Sequence, residues 1–179
     1  MKKTWRAILE INGVIFFDSL PRKDARGLFR KVYSSKNTQI DFDLREIFFS
    51  ESESGVFRGM HLQTSDSESG RIISLIDGEV IDVLIDLRLS STTHLNVMEI
   101  LWTPNSSHGA IFVPPGVAHG FLAMSKSLLV YASDKNHVPS LDSGVNIQSL
   151  SVSFKSEIKY ISERDQMLPS VNDWIKGTL

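Results

Sequence analysis

The sequence contains no cysteine, which excludes disulfides, thiolate metal sites and a cysteine nucleophile. It also lacks an excess of either charge. Nineteen Lys and Arg stand against 21 Asp and Glu, for a net charge of −2, so no basic field exists to hold nucleic acid. No apolar run approaches the length of a transmembrane helix. The N-terminal stretch MKKTWRAILEINGVIFF opens with a basic pair. Arg6, Glu10 and Asn12 then interrupt it, and no small-residue cleavage site follows. There is no G-x-S-x-G elbow, no phosphate-loop motif and no dinucleotide glycine pattern. Repeats, low-complexity segments and linkers are absent too. These absences leave a cytoplasmic protein of one domain, 1–179, with no nucleic-acid or membrane partner. At 41% apolar and 22% charged residues, it has the composition of an ordinary globular chain.

What is present is mostly short strand signals with turn punctuation. Ile8 to Phe17 holds a hairpin-type Asn12-Gly13, and Asp24 to Gly27 reads as a turn leading to a strand over Leu28 to Ser34. Tyr33 to Asp43 suits a short helix or loop, Arg45 to Ser50 a strand, and Thr64 to Gly70 a mobile polar loop. Arg71 to Ile76 and Glu79 to Leu87 are β-branched runs around Asp77-Gly78, the sharpest hairpin signal in the chain. In VIDVLIDLR, Asp82 and Asp86 share a face with Val80 and Leu84, while Ile81, Val83 and Ile85 form an apolar face. Asn96 to Trp102 and Ala110 to Val113 are further strands. Val117 to Met124 and Leu128 to Ser133 read as a strand pair. Helix is minor, with Pro169 to Lys176 the best candidate. Evenly spaced short strands predict an all-β sandwich or small barrel.

The chemistry gathers around GVFRGMHLQ, Gly55 to Gln63. Arg58 can hold an anion such as a phosphate. His61, three residues on, can move protons near neutral pH. On this stretch alone, a surface arginine and a hydrogen-bonded core histidine are the plainer alternative. A metal site of the kind β-barrels carry wants closely spaced histidines, such as H-x-H, with a carboxylate. The five histidines here, 61, 94, 108, 119 and 137, are far apart in sequence, which points away from a metal and toward cofactor-free acid–base chemistry. His94 and His108 read as surface or loop residues, and Asp82 and Asp86 as structural.

Four further stretches join the first: DARGLF, GEVIDVLIDLR with its following SSTT, VPPGVAHGF and ISERD. Together with GVFRGMHLQ, and in this order, they resemble the nucleotide-sugar 3,5-epimerases of the dTDP-4-dehydrorhamnose 3,5-epimerase type, from about Phe16 to Pro169. The resemblance implies a cupin-type jelly roll with a few short helices, a homodimer and a metal-free, cofactor-free site inside the barrel. It also implies a nucleoside-diphosphate 4-keto-6-deoxyhexose substrate, inverted at C3, C5 or both, in deoxysugar biosynthesis for surface polysaccharide. His61 matches the family base and Asp165 the carboxylate paired with it. Tyr131 matches the tyrosine that returns a proton from the other face, and Arg71 a position that is usually lysine, beside the enolate oxygen. Arg58 and Arg164 match phosphate contacts, and His119 and Gln63 match pocket positions. Arg26 and Phe29 match residues that reach the nucleotide, in the family from a neighbouring subunit.

The sequence departs from the family at several of these positions. Glu46 and Phe48 stand where a glutamine and an asparagine are common, and His137 where a second tyrosine is. GVNIQSLSVSF replaces a stretch that usually bears a tryptophan. These departures point to a divergent branch, acting on another sugar or on a CDP-linked one, or inverting a single carbon. A catalytically silent sugar-nucleotide-binding cupin and a metal-dependent cupin are the competing expectations.

Overall fold

The computed structural model describes residues 10–34, 36, 40–152, 154 and 156–178. Thirteen strands and two helices are assigned within them. The strands are β1 (Ile15–Asp18), β2 (Arg22–Asp24), β3 (Gly27–Phe29), β4 (Glu46–Ser52), β5 (Val56–Gln63), β6 (Arg71–Asp77) and β7 (Val80–Asp86). They continue with β8 (Val97–Trp102), β9 (His108–Val113), β10 (Val117–Ala123), β11 (Ser127–Ser133), β12 (Asp142–Gly144) and β13 (Tyr160–Ile161). The helices are α1 (Glu163–Gln166) and α2 (Val171–Thr178).

Two mainly antiparallel sheets result. One runs β1-β9-β6-β11-β4, the other β12-β5-β10-β7-β8, with β13 parallel to one end of β5. This is the expected cupin-type β-sandwich. Between the sheets lie Ile73, Leu75, Ile111 and Leu129 from the first and Leu84, Ile100, Trp102 and Phe121 from the second, all essentially inaccessible to water. Each such side chain contributes roughly 1.5–3 kcal/mol by leaving water. The outer face of the second sheet is apolar as well. There Val83, Ile85 and Leu122 are covered by the C-terminal segment, including Val145, Ile147 and Trp174 of α2. That explains the VIDVLIDLR pattern: the wholly apolar face packs under the C-terminal cover, and the mixed face carrying Asp82 looks between the sheets.

Two pairings expected from local signals do not form. Asp77-Gly78 is a corner between sheets, since β6 pairs with β9 and β11 while β7 pairs with β8 and β10. Likewise β10 and β11 lie in opposite sheets. The two corners brace each other: Met124 N–H donates to Glu79 O at 2.8 Å, and Glu79 N–H to Ser125 Oγ at 2.9 Å. A Cβ on Gly78, whose φ is +89°, would meet Lys126 O at 2.3 Å, so glycine is needed there for close approach as well as for its backbone. Thr64 to Gly70 also differs from the expected loop. It forms a 3₁₀ turn at Ser65–Ser67, with Ser67 and Ser69 buried. The strand after the Asp24–Gly27 turn is only three residues long. The turn at Asn12-Gly13 is present, but its incoming arm lies largely outside the described residues.

His108 is not at the surface. It begins β9 with 2% exposure, edge-on to Phe16 and tilted against Trp102 at 5.1 Å. Burial, reinforced by the Arg30 charge and opposed by Asp18, lowers its pKa to about 4. The unfolded chain therefore takes up this proton near pH 6.5, well before the folded chain does. Its stabilising contribution is complete above pH 6.5 and is lost as pH falls toward 4, by about 3 kcal/mol. Urea unfolding at pH 7 and pH 4.5 is expected to show this loss, and His108→Gln to remove most of the difference. An equal pH dependence in the variant would contradict the assignment.

Candidate active site

In a regular strand, residues three apart point to opposite faces. Arg58 and His61 nevertheless line one cavity. The reason is a bulge: His119 pairs with His61 and Phe121 with Arg58, so β5 places three steps against two of β10. Gly59 within this bulge has φ +130°, and a Cβ there would lie 2.4 Å from the Gly120 Cα. The close β5–β10 contact thus depends on a glycine.

The cavity, of about 250 Å³, opens between the two sheets. His61 and His119, cross-strand neighbours on β5 and β10, form one wall. Tyr131 and Phe48, which pair across β11 and β4, form the facing wall together with Arg71 of β6. Ser50, Phe121, Ser162 and Arg164 complete the lining with Arg58 and Asp165.

Asp165 reaches the cavity from α1, whose first turn is capped by Ser162; the Ser162 side chain accepts the Asp165 N–H at 3.1 Å. One carboxylate oxygen is 2.8 Å from His61 Nε2, and the other accepts the Gly59 N–H at 3.1 Å. Burial alone would raise the Asp165 pKa. The hydrogen bond and charge of His61, with the Gly59 and Ser162 contacts, reverse this and hold it below its ordinary value. An ionised Asp165 can only accept, so it faces the Nε2–H tautomer and leaves Nδ1 as the ring nitrogen without a hydrogen. The His61 side chain keeps 26% exposure, so a ligand can reach it.

A second pair lies beside the first. His119 Nε2 is 2.8 Å from Asp82 Oδ1, and both residues are buried. Asp82, read as structural from the sequence, thus fixes a cavity-lining histidine without lining the cavity itself. Its position among Val80 and Leu84 on the inner strand face was the available signal. Asp86 is structural as expected: Arg88, Ser91 and Thr93 surround its carboxylate.

The opposite wall is drier. Tyr131 stacks on Phe48 at 4.9 Å with rings 7° from parallel, and its hydroxyl lies 3.3 Å from that of Ser50. Burial, the main cause, and the Asp82 charge raise its pKa well above 10, against the Ser50 hydrogen bond and the charges of Arg71 and Arg58. The side chain is thus a neutral O–H donor. Arg71 donates from Nη2 to the His61 carbonyl at 2.7 Å. Its burial lowers its pKa, offset in part by Tyr131 and Asp142. Arg58 is oriented by Ser52 Oγ and Glu51 O at 2.8 and 3.1 Å.

The remaining expected contacts are not gathered here. Glu46 accepts the His137 N–H, and His137 Nε2 meets an Asp142 oxygen that also pairs with Arg164. Of that chain only Arg164 lines the cavity. Gln63 is buried with its Oε1 accepting the Val138 N–H, which braces the loop before β12. A β-hairpin of this short, exposed kind carries Arg26 and Phe29 away from the cavity of their own chain, in a separate cleft on β2 and β3. Sequence reasoning missed Ser50, Ser162 and Phe121 as well as Asp82. The S-x-x-D spacing of Ser162 and Asp165 is a legible helix cap.

Among the described residues no group of three or more His, Cys, Asp or Glu side chains is arranged to hold a metal ion.

Residues 8–173 match the model of a family described as dTDP-4-dehydrorhamnose 3,5-epimerase. The chain belongs to this epimerase family. A curated dTDP-4-dehydrorhamnose 3,5-epimerase of Methanothermobacter thermautotrophicus is 32% identical over 143 residues, covering 75% of this chain and 74% of the relative. A dTDP-4-dehydrorhamnose 3-epimerase of Streptomyces niveus is 28% identical over 165 residues, covering 88% and 79%. The crystal structure of NovW, a 4-keto-6-deoxy sugar epimerase from the novobiocin gene cluster of Streptomyces spheroides, superposes with a TM-score of 0.87 at 26% identity, covering 96% and 89%. The epimerase family is one of isomerases of deoxysugar biosynthesis, and its fold is the β-sandwich seen here.

Proposed function

We propose that this chain epimerises a dTDP-linked 4-keto-6-deoxyhexose at C3, C5 or both. The observation that carries the proposal is the placement of a His61–Asp165 pair on one wall of the cavity and a neutral Tyr131 on the other. A ketone at C4 acidifies its neighbouring C–H bonds. Epimerisation needs a base on one face of the sugar and an acid on the opposite face.

His61 Nδ1 takes the C–H proton. The C–H electron pair forms a C=C bond, and the carbonyl pair moves onto O4. Asp165 stabilises the resulting imidazolium through Nε2–H, and Arg71 stabilises the oxyanion. Tyr131 then gives its proton to the same carbon from the other side as the O4 pair re-forms the carbonyl; solvent takes the imidazolium proton and restores the phenol. Burial keeps the phenol protonated until the enolate carbon takes the proton, and the Arg71 and Arg58 charges ease formation of the phenolate. His119, fixed by Asp82, offers a hydrogen bond to the sugar. Arg58 and Arg164 hold the diphosphate.

All of these steps are carried by side chains of the chain. NMR of the sugar after incubation with dTDP-4-keto-6-deoxyglucose is expected to show a second diastereomer. Unchanged sugar despite binding would favour a silent binding protein.

The same reading makes the protein one cytoplasmic domain that acts as a homodimer in surface-polysaccharide synthesis. No described helix is long and apolar enough to cross a membrane. Dimerisation is supported by β4, an edge strand among the described residues whose outer face exposes Ile47 and Phe49 at 66% and 71%. The isolated β2–β3 hairpin exposes Leu28 and Phe29, an arrangement two strands do not sustain in water alone. Arg26 and Phe29 would then complete a neighbour's site. Phe49→Lys is expected to shift light scattering from dimer toward monomer; an unchanged mass, or a monomeric parent, would contradict the assignment.

A further inference from the structure

We infer that Arg71 biases this site toward proton exchange at C3 over C5. The inference rests on the epimerase reading and deepens it by naming the carbon. Its ground is the use of the guanidinium. Arg71 Nη2 is tied to the backbone carbonyl of His61 itself, so the cation is fixed relative to the base. Nε is buried and has no hydrogen-bond partner among the described residues. Nothing else among them takes up the other N–H groups, and the side chain lines the cavity. A planar fork of donors therefore remains for a ligand. Such a fork pairs best with two adjacent, coplanar oxygens. A lysine ammonium has no such preference, because it acts as a rotating point charge.

The two enolates differ in this respect. Loss of the C3 proton to His61 places the double bond between C3 and C4. O3 and O4 then lie in one plane on the same side of it, close enough for two N–H groups of one guanidinium edge to reach both. Loss of the C5 proton places the double bond between C4 and C5. O3 then sits on a tetrahedral carbon, twisted out of the enolate plane, and the group beside O4 within that plane is the C6 methyl, which accepts nothing. The fork thus meets two coplanar oxygens in the first enolate, and in the second only O4 in the plane, with O3 twisted away from it. In both, the pair from the C–H bond becomes the C=C bond and the carbonyl pair moves onto O4. Return of a proton from Tyr131 to the carbon reverses the flow.

The test is the initial rate of deuterium entry in D2O, read at each carbon by NMR with dTDP-4-keto-6-deoxyglucose. The wild-type protein is expected to label C3 at least about tenfold faster than C5. Arg71→Lys is expected to bring the two rates within about threefold, through loss at C3. A second arm needs no variant: the 3-deoxy analogue lacks O3, and on it the wild-type rates at C3 and C5 should converge. Equal or faster labelling of C5 in the wild type, or a C3 preference that survives with the 3-deoxy analogue, would overturn the inference and leave the epimerase reading standing. Exchange at neither carbon would overturn both.

Discussion

Replacing His61 with glutamine is expected to lower the turnover of C–H exchange by about a thousandfold, with little change in substrate affinity. The glutamine amide can still donate to Asp165, so the buried carboxylate keeps a partner and the fold is not penalised by an orphaned charge. What it lacks is a basic nitrogen. The pair positions that nitrogen with care: Asp165 is gripped by the Gly59 N–H and set on a capped turn, so the imidazole is held from behind. Stopped-flow or NMR exchange rates, with nucleotide-sugar binding measured by calorimetry, separate the two effects. Equal loss of affinity and turnover would make His61 a binding residue instead of the base.

The second large effect is qualitatively different. Tyr131→Phe should divide exchange from inversion. The hydroxyl is removed, but the ring still stacks on Phe48 and packs against His119. His61 can still remove a proton and return a solvent deuteron to the same face, so wash-in of label should persist within about tenfold. Formation of the inverted sugar should fall by about a hundredfold or more, because the opposite face has lost its acid. Ser50, freed from its contact with the phenol, is the obvious rescuer through water; the double variant with Ser50→Ala removes that route. If exchange and inversion fall together, Tyr131 serves the enolate and not the final protonation.

Strands were legible in this sequence because alternation and β-branching are local. The neighbours of each strand were not, because β6 lies between β9 and β11, and one edge of β7 is taken by β10, all distant in sequence. Asp77-Gly78 therefore looked like a hairpin while forming a corner. The site was legible as residue types: His61, Tyr131, Arg58, Arg71, His119, Arg164 and Asp165 do line one cavity. Their facing was not, since strand parity sends Arg58 and His61 apart and only the bulge in β5 reunites them. The Asp82–His119 pair required knowing that β7 and β10 are neighbours. Glu46, Gln63 and His137 sit close in the fold to cavity residues, yet their polar atoms serve backbone and loop contacts. His108 was misread because a histidine after a Ser-rich turn gives no local sign of the apolar pocket formed by Phe16 and Trp102.

The central claim is that the two walls of one cavity move protons at carbons beside a sugar ketone. The most direct measurement is NMR of dTDP-4-keto-6-deoxyglucose in D2O with the wild-type protein and His61→Gln side by side. The account predicts deuterium at a ring carbon adjacent to the ketone with the wild-type protein, and about a thousandfold less with the variant. A sugar that binds the wild-type protein and keeps all its C–H bonds, or one that exchanges equally with both, would contradict it.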